Sequence, residues 1–155
     1  MTWLIFAMLT VFSWGVYGVL LHTGQMAMGD PVNGRYKAYL FVGIAYLFVA
    51  IFGSLIVLKL NNVEWSFTSK GMLWSTVAGV AGAIGALGVL LACGAKGSPA
   101  VVMSLVFAGA PIVNAFVAMA VHPPAGGFAA LNWPFVLGIA MAAGGGCLVT
   151  LYRPT

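Results

Sequence analysis

Long apolar runs alternate with short polar segments along the whole chain, and the charged residues fall between the runs or at their ends. Each run is near the roughly 20 residues that a helix needs to cross the hydrocarbon core of a bilayer. None of them has the period-2 alternation of a barrel strand, so the runs predict helices, which satisfy their own backbone hydrogen bonds. The predicted spans are residues 2–22, 39–58, 70–93, 99–121 and 133–152.

This pattern predicts an all-α fold, an integral membrane bundle of five transmembrane helices. The composition agrees, because hydrophobic residues make up 63% of the 155 residues and charged residues only 5%. The longest predicted connections, residues 23–38 and 59–69, are too short to hold a packed soluble module and contain the usual turn residues. We therefore predict a single transmembrane domain over residues 1–155.

The net charge of +4 comes from basic residues at helix ends, where the bilayer interface accommodates them. We therefore expect the lipid bilayer as a partner and no nucleic acid. Arg35, Lys37, Lys96 and Arg153 share one side of the membrane, and Lys59 and Lys70 lie on the other. This excess predicts a cytoplasmic C-terminus in a bacterial inner membrane. The bias is weak enough to permit insertion in both orientations.

Aromatic and polar side chains share one face in each of the first two spans. Trp14 and Tyr17 recur at helical intervals with a threonine and a serine, and Tyr39 and Tyr46 do so with small residues. Each stripe is expected to avoid lipid. Rings on adjacent helices would then line a common cavity.

The fourth span carries a proline and an amide. Pro111 displaces the carbonyl of Phe107 and removes one backbone donor, so a bend is expected there. Asn114 lies one turn further on, where it either joins two helices or faces a polar cavity, and both readings stay open. The predicted substrate-binding residues are Trp14, Tyr17, Tyr46, Ser104 and Asn114, with Pro111 as the point of helix flexibility.

Small residues recur at steps of four in the third and fifth spans. The two sets are Ala78, Gly82 and Ala86, and Gly138, Ala142 and Gly146. Such spacing lets the backbones of two helices approach closely. It predicts helix packing and carries no catalytic chemistry.

The residues that most catalytic and ion-coupled proteins need are missing from the middle of every predicted span. None contains a central Asp, Glu, Lys or Arg, which coupled carriers often bury. Asp30 and Glu64 are single loop acids on opposite sides, so no acid–base pair is expected. His22 and His122 end spans on opposite faces and cannot share a metal; each is an interfacial residue or, alternatively, a proton sensor. We expect no enzyme activity, no cofactor and no metal.

Short motifs resemble one EamA-type repeat of the drug/metabolite transporter superfamily. The first is Ser13-Trp14-Gly15 in the first span, and the second is the run LLACGAKGSPAVVMSLVFAGAPIVNAFVAMAV. This run contains a short turn, Ala95 to Ala100, and then Pro111. The third is the set of glycines near the end, Gly138 and Gly144 to Gly146. The likeness covers nearly the whole chain. One departure is His122-Pro123-Pro124-Ala125, where the family commonly has an acidic glycine–glutamate pair.

The resemblance implies a half-size transporter. Full-size members have two such repeats in inverted orientation with the substrate cavity between them. This chain would therefore pair with a second copy, as a homodimer, or with a related half, and the pair would be antiparallel because an odd number of spans inserted in parallel cannot reproduce the inverted arrangement. It would move a small neutral, zwitterionic or aromatic metabolite by alternating access. The alternative is a non-transporting structural subunit of a larger membrane protein complex, which would fit a single repeat without intramembrane charge.

Overall fold

The computed structural model describes residues 2–123, 127 and 131–152, and their regular structure is helical. The helices are α1 (Thr2–Ala27), α2 (Gly34–Tyr46), a π-helical turn (Leu47–Phe52), α3 (Gly53–Leu60), α4 (Ser69–Gly94), α5 (Pro99–Val121) and α6 (Trp133–Leu151). The segment from α2 to α3 is one continuous rod, Gly34–Leu60, so five rods are long and apolar enough to cross a membrane. The all-α membrane fold class is confirmed.

The first connection is shorter than predicted, because α1 runs on to Ala27 and α2 begins at Gly34. Apolar length reports only the part of a helix inside hydrocarbon, and a helix continues into the headgroup layer where its backbone bonds persist. Within the remaining turn, the Asp30 carboxylate accepts hydrogen bonds from the backbone N–H groups of Val32 and Asn33, at 3.1 and 2.8 Å. This turn therefore redirects the chain within a few residues.

Backbone contacts divide the chain into two compact units, Met1–Lys96 and Gly97–Thr155. In the first unit α1, α2 and α4 pack together. Its buried residues include Leu90, which is fully buried, and Leu21, Val89 and Cys93. These residues lie toward the ends of α1 and α4 that are nearest the first connection, so this end of the unit is its best-packed part.

The second unit is built on the packing of α5 against α6. Its buried residues include Met103 and Ala115 on α5 and Gly146 on α6. A Cβ atom built on Gly146 would collide with Cβ of Ala108. The glycine is therefore what allows the two backbones to approach at this level, as the small-residue spacing of the fifth span predicted.

Large apolar side chains cover the outside of the described helices. Examples on four different helices are Phe12, Val49, Trp74 and Leu151, all of them exposed. A soluble protein rarely presents such a continuous apolar surface to water. The surface is the one expected for helices that face lipid acyl chains or neighbouring helices.

Candidate solute cavity

Aromatic rings and small residues enclose a cavity of about 470 Å³ inside the first unit. Trp14 of α1 and Tyr39 and Tyr46 of α2 supply the rings. The remaining lining residues are Val42, Gly43, Ala50, Gly79, Gly82 and Ala83. The volume falls in the range of about 300–1,000 Å³ that small-molecule pockets occupy.

The glycines of α4 form the open wall of this cavity. A Cβ atom built on Gly79 or Gly82 would meet nothing within 4 Å. Gly82 therefore makes no close helix contact within the described residues, whereas Ala86, one turn later in the same predicted set, is buried. The absence of side chains at Gly79 and Gly82 leaves space beside α4. At Gly146 the absence of a side chain instead lets the backbones of α5 and α6 approach each other.

Tyr39 ties the second rod to α4. Its hydroxyl donates a hydrogen bond to the backbone carbonyl of Ala83 at 2.6 Å. A helical carbonyl has a second lone pair, so this bond adds to the helix's own ladder. Tyr39 was not among the predicted binding residues, although it shares a helical face with Tyr46. The spacing of the two tyrosines was the available signal.

A π-helical turn follows Tyr46 directly and contributes Ala50 to the cavity wall. Its wider winding is seen where the backbone N–H of Gly53 bonds to the carbonyl of Phe48, and the rings of Phe48 and Phe52 stack with centroids 5.6 Å apart. Turns of this kind occur often at functional sites within helices. Nothing in the run Leu47–Phe52 distinguishes it from an ordinary α-helical sequence.

Three of the five predicted binding residues meet in this unit. The ring centroids of Trp14 and Tyr17 lie 6.3 Å apart. Tyr17 and Tyr46 together line an adjoining cavity of about 260 Å³, and Tyr17 also lines one of about 310 Å³. Trp14 and Tyr46 are 46% and 50% exposed, so the aromatic cavity is open to its surroundings. The stripes read from the sequence therefore do converge.

The other two predicted binding residues belong to the second unit. Asn114 and Pro111 line a cavity of about 390 Å³ between α5 and α6, together with His122 and Phe135. Ser104 lies three turns earlier on α5, half-buried, beside the contact made by Gly146. Pro111 sits inside an α-helix that stays continuous from Pro99 to Val121.

Among the residues that the structure describes, no Asp, Glu, Lys or Arg lines any of these cavities. Within residues 2–123, 127 and 131–152, no three His, Cys, Asp or Glu side chains lie close enough together to hold a metal ion. The chemistry available for recognition is therefore ring stacking, apolar contact and a small number of hydroxyl, indole and amide hydrogen bonds.

No family model, curated protein sequence or solved structure matches this chain. The likeness to an EamA-type repeat stays a prediction that depends on the short motifs of the sequence.

Proposed function

We propose that this chain is a half-size membrane transporter that carries a small neutral or aromatic metabolite as a dimer. The observation that supports the proposal is the aromatic cavity of about 470 Å³ enclosed by Trp14, Tyr39 and Tyr46 against the glycine wall of α4. A cavity of solute size, with rings on one side and two glycines and an alanine of α4 on the other, fits a flat molecule. Close packing of the same helices would leave no such space.

The lining narrows the class of solute. Of the neutral, zwitterionic and aromatic solutes that the sequence allows, a ring-bearing one fits best, since three rings face the space and each ring pair contributes about 0.5–1.5 kcal/mol beyond area burial. The Tyr39 hydroxyl is already bonded to Ala83, which removes one polar contact from the site. A net charge on the solute would find no opposite charge among the described lining residues.

Transport requires the site to face each side of the membrane in turn. In carriers built from inverted repeats, one helix bundle rocks against the other around a central site. The π-helical turn beside Tyr46 gives the second rod a place where its backbone bonds change register. A second copy inserted in the opposite direction would supply the missing repeat.

The test uses the purified full chain in proteoliposomes with four radiolabelled probes. L-Tryptophan and L-phenylalanine carry aromatic rings, and glycine betaine and glucose do not. We expect uptake of the two aromatic probes above protein-free vesicles. The Trp14→Ala variant should lower this uptake about tenfold or more, since loss of a stacked aromatic and its contacts costs well over 1.4 kcal/mol.

Trp74→Ala is the matched control, because Trp74 is 62% exposed on α4 and does not line the aromatic cavity. It should transport like the parent protein. Equal loss of uptake in both tryptophan variants would argue against the cavity. So would a protein that moves none of the four probes, or glucose and betaine as well as the aromatic ones.

One observation favours the alternative of a non-transporting subunit in a larger complex. Asn114 lies in mid-span, is exposed, and makes no hydrogen bond within the described part of the chain. An amide facing hydrocarbon is costly unless a partner helix bonds it. Purification from native membranes in mild detergent separates the two readings: a dimer of this chain supports the carrier, and a constant larger partner supports the subunit.

A further inference from the structure

A cluster of nitrogen donors lies at the end of the first unit where α1 and α4 finish and α2 begins. A Cβ atom built on Gly94 would stand 3.0 Å from Nη1 of Arg35 and 3.3 Å from Nε2 of Gln25. Both donors therefore converge on the last residue of α4, and the absent side chain of Gly94 gives them room. We call Gln25, Arg35 and Gly94 the donor cluster.

These donors have spare hydrogen-bonding capacity. Nε of Arg35 donates to the carbonyl of Val32 at 3.3 Å, and within the described residues the other guanidinium nitrogens have no acceptor. The Gln25 amide also makes no hydrogen bond there, so the N–H groups of its Nε2 are available, whereas its buried Oε1 is an acceptor and takes no part in binding an anion. A guanidinium has five N–H groups in a planar fork, so most of this fork is available.

Among the described residues, the carboxylate at this end is already bonded. Asp30 accepts from two backbone N–H groups through Oδ1 and forms an ion pair with Lys37 through Oδ2 at 2.7 Å. The other acid of the chain, Glu64, lies in the connection at the opposite ends of the rods. Arg35 is thus a cation without a carboxylate, and Lys96, an exposed cation in the turn directly after α4, adds to the charge.

From this geometry we infer a binding site for the phosphate group of an anionic membrane lipid at the donor cluster. All three of its residues belong to helix ends or the turns beside them, so they lie at one bilayer face, at the depth of lipid phosphates. The planar fork of Arg35 matches two phosphate oxygens, the Gln25 amide supplies a third donor, and Lys96 adds attraction for a net negative headgroup. A lipid there would fasten α1, α2 and α4 at the same point.

Native mass spectrometry of the full chain in dodecyl maltoside tests this site. Phosphatidylglycerol and phosphatidylcholine are added in equal amounts, and the ratio of the two lipids bound to the folded protein is measured. We expect phosphatidylglycerol to be retained preferentially. Arg35→Gln should reduce this preference about fivefold, the factor that corresponds to one interfacial cation.

Arg35→Lys keeps the charge without the fork and should give an intermediate preference, and it supplies a readout if the glutamine variant does not fold. Lys59→Gln is the control at the opposite ends of the rods and should leave the preference unchanged. The ratio reports headgroup choice, which an arginine with a purely structural role at the start of α2 would not alter.

Equal preference in the Arg35→Gln and Lys59→Gln proteins would overturn the site. Equal retention of the two lipids by the parent protein would do the same. A third arm adds millimolar inorganic phosphate: if it displaces phosphatidylglycerol, the phosphate comes from solution and the lipid assignment is wrong. Retention of the lipid under these conditions supports the membrane source.

Discussion

Gly146→Ala is expected to destabilise the α5–α6 unit because one added methyl group has no space. The built Cβ of residue 146 collides with Cβ of Ala108 and also comes within 3.8 Å of the Ser104 carbonyl oxygen. Overpacking of this kind costs about 1–3 kcal/mol, since a methyl group on a helix backbone cannot rotate away. Replacing helical glycine by alanine recovers about 0.5–1 kcal/mol of backbone entropy, so the net loss should be at most about 2.5 kcal/mol, and the loss relative to a glycine-to-alanine change in open space should be about 1–3 kcal/mol.

Gly145→Ala is the matched control on the same helix. A Cβ atom there meets nothing within 4 Å, so this variant should match the parent protein or exceed its stability by about 0.5–1 kcal/mol. The assay is reversible unfolding in mixed detergent micelles, followed by far-ultraviolet circular dichroism. The difference between the two variants isolates the collision.

A double-mutant cycle with Ala108→Gly completes the test. Removing the opposing methyl group should restore much of the stability lost in Gly146→Ala, with a coupling energy of about 1 kcal/mol or more between the two positions. If Gly146→Ala is as stable as Gly145→Ala, or if the coupling energy is zero, then the two helices do not meet at this level and the packing described for the second unit is wrong.

Two further predictions concern the first unit. Tyr39→Phe removes the hydrogen bond to Ala83 and should lower the free energy of unfolding by about 0.5–1.5 kcal/mol in detergent. Tyr36→Phe is the control and should have no effect, because its ring is 51% exposed. Equal free energies of unfolding for the two variants would contradict the link between α2 and α4. The hydrogen bond from Lys37 lowers the pKa of Asp30 from 3.8 to about 2. The ionised Asp30 carboxylate therefore stabilises the folded protein fully above pH 3.8, and this stabilisation disappears as the pH falls through 2. Thermal unfolding between pH 5 and pH 2 should show this loss in the parent protein and not in Asp30→Asn, and identical pH profiles would refute it.

The number of membrane-crossing rods was readable from the sequence, because a run of apolar residues has few alternatives once its length reaches the thickness of the bilayer. The residues at which the helices end were harder to predict. Residues 23–27 are polar enough to look like a connection, yet they remain helical, with the hydroxyl of Thr23 bonded back to the carbonyl of Val19 at 2.9 Å. Hydropathy marks where hydrocarbon ends, and the helix ends later.

The spacing of small residues does not predict whether a glycine makes a helix contact or lines a cavity. Gly82 and Gly146 belong to equivalent small-residue patterns, yet a side chain at Gly82 would meet open space and one at Gly146 would meet Ala108. Whether a small residue makes a contact or a cavity depends on the residue opposite, and that is a property of which helices pair. The Tyr39 bond was hidden for a related reason, because its acceptor is a backbone carbonyl that every residue possesses.

The residues of the candidate site also differ in how far the sequence could predict them. Trp14, Tyr17 and Tyr46 were found because each lies on a periodic stripe of its own helix, and α1 and α2 are joined by a short connection that makes them neighbours. Ser104 and Asn114 were selected as isolated polar residues in an apolar span. Their surroundings depend on how α5 meets α6, which no local period reports, and the structure places Asn114 in a cavity of that pair.

Lipid chains fill an open cavity inside a membrane when no solute occupies it. A solute of the aromatic cavity would therefore have to compete with acyl chains. Burying apolar surface yields little net free energy there, since acyl chains are as apolar as the cavity wall. A solute must therefore bind better than a flexible chain through interactions that a chain does not make. Stacking on Trp14 and Tyr46 is such an interaction, at about 0.5–1.5 kcal/mol for each ring pair, and a rigid ring loses less conformational entropy than a chain. Under the proposed function, selection for aromatic solutes would therefore depend on these rings, since none of the described lining residues is charged.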